Sequence, residues 1–170
     1  NIVDDLETIS KQAVKLFSKV HKTSNNRFYI VPGGSTPKPF YNLLASNITD
    51  WNNTHFILSD EKIVIGRKEL SNEKMFKETF IKKIETENLP EFYSLVSNSN
   101  YSIIEKILLS FKPQLTILGL GADGHTASLF PDNPAIFNKD NIAIFKLKNR
   151  WEKFKRISLS FSYLMKAEQV

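Results

Sequence analysis

Cysteine is absent from the 170 residues. Its absence excludes disulfides, a thiol nucleophile and zinc sites built on thiolates. Histidine is scarce: His21, His55 and His125 are too far apart for an H-x-x-x-H pair, so no metal site is expected. Long apolar runs are missing too; none approaches the ~20 residues of a membrane-spanning helix. Residues 1–7 are acidic and lack the charged-then-apolar layout of a signal peptide. The chain is therefore expected to be cytoplasmic, with no membrane partner. Glycine is sparse, and five of its six occurrences fall in two short segments, 33–34 and 119–124.

What is present fits one globular domain. An apolar share of 41% and a charged share of 24% are ordinary for a soluble protein, and 170 residues can bury a continuous core without staples. The formal net charge of +5 suits an anionic small molecule and also nucleic acid. Arg150, Trp151, Phe154 and Arg156 interleave cations with aromatics, as a single-strand binder would. The basic residues are otherwise scattered, and an ordinary solvated strand pair accounts for them, so no nucleic-acid partner is expected.

Periodicity gives an α/β reading. Ile2, Leu6, Ile9, Ala13, Val14 and Phe17 recur at helical spacing. Helices are also predicted over 38–45, 71–84 and 101–111, with Ser71 as the N-cap of its helix. Apolar runs over 28–31, 55–58, 115–118, 142–145 and 157–161 predict strands. Strands alternating with helices predict a mainly parallel sheet flanked by helices. Ligands of such sheets bind beyond the carboxyl ends of the strands.

Three segments fall at those ends. In Gly33-Gly34-Ser35-Thr36-Pro37 the glycines permit a sharp turn and close approach to a ligand. Ser35 or Thr36 can cap the next helix, Pro37 fits its first turn, and free N–H groups there attract an anion such as phosphate. A capped turn without a ligand would use the same residues. Ser59-Asp60-Glu61-Lys62 offers carboxylates for base catalysis or for orienting a sugar hydroxyl, or simply a polar loop. The third segment, 119–131, opens with G-x-G-x-x-G. That pattern belongs to the first strand–helix turn of a dinucleotide fold and needs an acid ending the next strand; here Asp140 precedes the next strand, so the match is read as accidental. His125, on this tight loop, can take a proton from water, with Asp123 orienting its ring. A structural histidine holding the loop is the alternative.

Taken in order, Gly33–Pro37, Ser59–Lys62, Ser71-Asn72, 118–131 and Arg156–Ser160 resemble the 6-phosphogluconolactonase family, related to the glucosamine-6-phosphate deaminases. The resemblance covers roughly residues 30–167, and Gly121–Pro131 is its most specific part. Deaminases continue past the histidine to Asn-Glu-Pro, whereas this chain has Leu129-Phe130-Pro131, with no acid to shuttle protons.

The resemblance implies a Rossmann-like α/β sandwich of the deaminase/isomerase type. The implied activity is hydrolysis of 6-phospho-D-glucono-1,5-lactone in the oxidative pentose phosphate pathway by a monomer without cofactors. His125 would activate water, with Asp123 and Asp60 shaping the site; Gly34, Ser35, Thr36, Lys62, Gly121 and Arg156 would bind substrate, most of them its phosphate. A related deaminase-like enzyme and a non-catalytic sugar-phosphate sensor are the alternatives. The family's arginine is Lys62 here, which keeps the charge but loses the two-pronged fork. Its usual glycine is Asp132, and its Lys-Pro-Pro approach to the arginine strand is replaced by residues 149–153. Which cation among Lys148, Arg150 and Lys153 faces the site is left open. By family length, a C-terminal portion of the domain is expected to be missing.

Overall fold

The computed structural model describes residues 5–64, 68–96, 101–147 and 154–170. Ile2 and the cations Lys148, Arg150 and Lys153, with Trp151, lie outside the described residues. The chain opens with α1 (Leu6–Thr23), capped by Asp5, whose carboxylate accepts from the Thr8 amide at 2.7 Å. Strand β1 (Arg27–Val31), α2 (Lys38–Asn47), β2 (Thr54–Leu58) and β3 (Asp60–Ile63) follow. Then come α3 (Asn72–Thr79), β4 (Glu91–Tyr93), α4 (Ser102–Ser110), β5 (Leu115–Thr116), β6 (Ile142–Lys146), β7 (Lys155–Leu159) and the short α5 (Phe161–Leu164).

Two sheets divide the strands. The first is four-stranded and parallel, in the order β4-β2-β1-β5; the second is three-stranded and antiparallel, in the order β3-β7-β6. Ser59 is the hinge between them. Its amide donates to Val31 at 2.9 Å, extending the β1–β2 ladder, and its carbonyl accepts from Leu159 at 2.8 Å, opening the ladder to β7. One residue thus passes the chain from the parallel sheet to the antiparallel one, at the carboxyl end where α/β sheets hold ligands.

The central strands are buried on both faces, so β1 reads as a continuous apolar run. Aromatic side chains fill one side of the sheet. Phe56 lies 5.5 Å from Tyr29, 5.2 Å from Phe80 and 5.7 Å from Phe76, ring centre to ring centre. Phe17, Tyr29, Trp51, Phe56, Phe76 and Phe80 are all essentially inaccessible to solvent. Each such ring contributes roughly 1.5–3 kcal/mol by leaving water, which anchors α1, α2 and α3 on the sheet.

The predicted helices and strands recur with local differences. The stretch 71–84 is a helix only to Thr79; Phe80 leaves helical geometry and residues 81–83 form a tighter 3₁₀ turn. The 115–118 strand is short, although the Ile117 amide still donates to Ile30 at 2.9 Å. Asp60-Glu61-Lys62, read as a loop or strand end, begins β3, because the antiparallel partner β7 that makes it a strand lies almost a hundred residues away. Strand β4, only three residues long, was not predicted.

A buried histidine makes the fold sensitive to pH. His21 Nε2 lies 2.7 Å from the Asp50 carbonyl oxygen, which can only accept, so Nε2 carries the proton. Nδ1 then accepts from the Tyr29 hydroxyl at 3.1 Å. Both ring nitrogens are satisfied in the neutral form, and burial holds the His21 pKa below its ordinary value of 6.5. The unfolded chain therefore takes a proton first as pH falls. The contribution of neutral His21 to stability is complete above pH ~6.5 and is lost as pH falls below that toward the depressed folded pKa. Chemical unfolding at pH 7.5 and pH 5.5 should show a loss of stability on acidification that is smaller in His21→Gln than in the parent.

Candidate active site

The site is assembled around two adjacent carboxylates that point to opposite faces of β3. Glu61 is buried, and its oxygens accept from the amides of Lys62 (2.7 Å), Asn72 (2.8 Å) and Glu73 (2.7 Å) and from the Ser71 hydroxyl (2.9 Å). Three of these donors lie at the start of α3, where amides lack helical partners and the helix dipole favours an anion. Burial pushes the Glu61 carboxyl upward in pKa, and these donors oppose the rise. The Ser71 hydroxyl also accepts from the Lys74 amide at 3.1 Å, as its N-cap role predicts.

Asn72, held by that docking, reaches across to the glycine turn. Its Nδ2 donates to the Asp60 carbonyl at 3.0 Å, and its Oδ1 accepts from the Gly34 amide at 3.2 Å. A Cβ at Gly33 would stand 2.1 Å from Asn72 Cγ, so only glycine fits there. Gly34 has a positive φ of 87°. The Tyr41 hydroxyl donates to the Pro32 carbonyl and pins the end of β1. Neither Ser35 nor Thr36 caps α2 with its side chain; Pro37 holds the cap position and Pro39 follows in the first turn. Ser35, Thr36 and Gly34 are exposed on the turn.

The third segment is a tight loop. The Gly121 amide donates to the His125 carbonyl at 2.8 Å and the Gly124 amide to the Gly121 carbonyl at 2.9 Å, with Gly124 at φ 80°. This folds His125 back so that its Nδ1 meets Asp123 Oδ1 in a short hydrogen bond. A carboxylate oxygen accepts, so Nδ1 carries the proton and Nε2 presents its lone pair. No partner of Nε2 occurs among the described residues. The ring stacks on Phe130 at 4.6 Å. A Cβ at Gly121 would lie 2.2 Å from His125 Nδ1, so that glycine makes room for the imidazole.

A cavity of about 310 Å³ brings several of these groups together. Thr36, Asp60, Gly121 and His125 line it, with Ser59 and Gly33 beside them. Leu6, Ile9, Phe40 and Leu118 form an apolar side. Asp60 is buried; it accepts from the Ser128 hydroxyl at 2.5 Å and from the Ser59 hydroxyl at 3.2 Å. Burial raises its pKa, against the Ser128 hydrogen bond and the positive charges of Arg156 and Lys62.

The two expected cations lie off this cavity. Lys62 lines a separate cleft of about 590 Å³ with Ser71 and Lys74. Arg156 pairs with Lys62 across the β3–β7 ladder, so both side chains leave the same face. Arg156 is buried, donates to the Ser128 hydroxyl at 3.1 Å and lies over the Phe130 ring, 5.6 Å from its centre. Glu61, Asn72 and Ser128 were not singled out as site residues by sequence. Ser71-Asn72 was a motif without a role, and Ser128 sat inside the histidine motif; their partners appear only once the two sheets are packed.

The fold and site together define an α/β protein with a histidine–carboxylate pair at the carboxyl ends of parallel strands. The chain belongs to the glucosamine-6-phosphate isomerase/6-phosphogluconolactonase family, whose model matches residues 4–170. It is 32% identical to the 6-phosphogluconolactonase of Thermotoga maritima over 164 residues, covering 94% of this chain and 72% of that protein. Identity to the 6-phosphogluconolactonase of Helicobacter pylori J99 is 28% over 176 residues, 98% of this chain and 77% of the relative. The fold matches the crystal structure of the Thermotoga maritima 6-phosphogluconolactonase with a TM-score of 0.81 at 24% identity, covering 96% of this chain and 77% of that one. The Trypanosoma brucei 6-phosphogluconolactonase matches with a TM-score of 0.79 at 22% identity, covering 98% and 78%. No described helix is long and apolar enough to cross a membrane.

Two substitutions test this construction. Glu61→Ala leaves three buried or half-buried amides without their acceptor and should cost about 3 kcal/mol in urea unfolding. Gly121→Ala should leave the melting temperature within a few degrees while displacing His125, seen as a shift in the imidazole proton resonances by NMR.

Proposed function

We propose that the chain hydrolyses 6-phospho-D-glucono-1,5-lactone to 6-phosphogluconate in the oxidative pentose phosphate pathway. The observation that carries this reading is that His125 and Asp60 line one cavity, with His125 Nδ1 engaged by Asp123 and Nε2 available. Family membership and the named relatives support the substrate.

In this reading the substrate phosphate lies toward the exposed turn at Ser35 and Thr36, at the start of α2, where amides and the helix dipole favour an anion. Lys62 and Arg156 supply positive potential from the neighbouring sheet. Binding the phosphate holds the lactone carbonyl close to His125 and converts an encounter into a positioned reaction. Nε2 takes a proton from water as the water oxygen bonds to the carbonyl carbon. Negative charge gathers on the carbonyl oxygen, and amides of the loops lining the cavity are the donors to receive it. The carbon–ring-oxygen bond then breaks, and His125 returns the proton to the departing oxygen. Asp123 stabilises the imidazolium between the two transfers. Asp60 orients the substrate hydroxyls.

Every step uses water and the side chains and backbone amides of this chain, so this reading calls for no metal or organic cofactor. A monomeric, cytoplasmic enzyme working as a single domain belongs to the same reading. Phe130, stacked on His125, argues against the sister deaminase chemistry, which needs an acid at that position.

Lactone generated in situ from glucose 6-phosphate by its dehydrogenase should decay faster with the protein than by spontaneous hydrolysis. His125→Ala should lower the catalysed rate on the order of 10²–10⁴-fold with the fold intact by circular dichroism. Full activity in that variant would sink the assignment. Release of ammonia from glucosamine 6-phosphate would favour the deaminase reading, and tight sugar-phosphate binding without turnover a sensor.

A further inference from the structure

Ser128 is wholly buried, and its hydroxyl touches both Asp60 and Arg156. A guanidinium has only donors, so the 3.1 Å contact obliges Ser128 Oγ to accept from Arg156 Nη1. The single hydroxyl proton is then left for Asp60 Oδ2, 2.5 Å away. The chain of hydrogen bonds therefore has one direction, from Arg156 through Ser128 to Asp60. It needs an acceptor at its end, which Asp60 Oδ2 supplies, and the bond is strongest when that carboxyl is ionised.

We propose that Ser128 is a positioning residue for the reaction: its hydroxyl locks the Asp60 carboxylate to Arg156 and fixes the carboxylate's orientation in the cavity that holds His125. The inference rests on the lactonase reading for its catalytic consequence, while the hydrogen-bond chain itself can be tested without turnover.

Three further features aim the hydroxyl. Ala127 adopts φ 51°, in the left-handed region that non-glycine residues seldom enter, and this turns residue 128 inward. Thr126 and Leu129 close the turn around it with paired backbone hydrogen bonds of 3.2 and 2.8 Å. The Ser128 amide faces Ser158 Oγ at 3.5 Å, and Ser158 sits directly opposite Asp60 in the β3–β7 ladder. The histidine loop is thereby docked on the same strand pair that carries Asp60 and Arg156. Ser128 and His125 belong to one turn of chain, so the contact that orients Asp60 also registers the general base against it.

Other groups face Asp60. Ser59 donates to its second oxygen, and Lys62 and Arg156 lie on the same sheet face. Ser59 remains in any Ser128 variant, so loss of the Ser128 hydroxyl removes one of two side-chain donors without stripping the carboxylate bare.

The experiment combines Ser128→Ala, Ser128→Thr and Asp60→Asn. With the carboxyl carbons of aspartate labelled with ¹³C, Asp60 is assigned by its absence in Asp60→Asn and titrated in the parent and in the serine variants. Removing a hydroxyl that donates to the charged form should raise the Asp60 midpoint by about one pH unit or more. Ser128→Thr, which keeps the hydroxyl, should stay near the parent. In turnover, Ser128→Ala should lower kcat/KM on the order of 10-fold, with the acid limb of the pH profile displaced upward. The double variant with Asp60→Asn should be no slower than Asp60→Asn alone, because the hydroxyl acts through that carboxylate. A merely structural serine would lower the melting temperature and leave the midpoint and the acid limb unmoved. An unmoved Asp60 midpoint in folded Ser128→Ala, or additive losses in the double variant, overturns the proposal. If the parent shows no lactone turnover, the function reading fails, and the ¹³C titration still decides whether Ser128 governs Asp60. If Ser128→Ala does not fold, a Ser128→Thr protein whose Asp60 midpoint departs from the parent by a unit overturns it equally.

Discussion

Docking of the Glu61 carboxylate onto the start of α3 is the contact on which the site's geometry depends. The helix start presents amides that have no helical partner, and Glu61 lies buried against them with each oxygen accepting two hydrogen bonds. Desolvation of that carboxylate is costly, and only a set of donors this close offsets it. Asn72 is fixed by the same contact, and Asn72 in turn spans the Gly34 amide and the Asp60 carbonyl. The glycine turn and the strand that carries Asp60 are therefore held at one separation by a helix that itself contributes no residue to the principal cavity.

A second consequence concerns charge. Asp60 and Glu61 are neighbours in sequence, both buried, and point to opposite sides of β3. Glu61 is answered by backbone amides and a serine, whereas Asp60 is answered by side chains: Ser59, Ser128 and the field of Arg156 and Lys62. A backbone cradle is rigid and suits a structural role. A side-chain cradle on the cavity wall leaves the carboxylate open toward a ligand. The pleat of one strand thus directs two chemically identical groups to different surroundings, one onto the start of α3 and one onto the cavity wall.

The histidine loop follows similar logic. Gly121 is demanded by the imidazole packed against it, and Gly124 by its left-handed backbone. Together they turn His125 so that Asp123 takes Nδ1 and Phe130 supports the ring. Phe130 also lies under Arg156, so the same aromatic ring supports the imidazole and a buried cation.

Much of this was legible in the chain itself. The apolar runs of β1 and β2, the amphipathic α1, the Ser71 cap and the glycine turns are local patterns, and local sterics and burial dictate them. The His125–Asp123 pair was legible for the same reason, since two residues of separation on a glycine loop leave little freedom. Strand β3 was not legible, because a polar stretch such as Asp60-Glu61-Lys62 becomes a strand only when β7 pairs with it. The helix break at Phe80 follows from packing of its ring against Tyr41, Trp51 and Phe56, which no helical periodicity records. Glu61 looked like an ordinary charged residue until α3 arrived above it, and Ser128 looked like motif filler until Asp60 and Arg156 met at its hydroxyl. Sequence alone determined which short-range conformations this chain adopts and which side chains are candidates for its chemistry. Tertiary structure decided which of those side chains meet, because hydrogen bonds between residues dozens of positions apart depend on sheet pairing and helix docking rather than on neighbours in the chain.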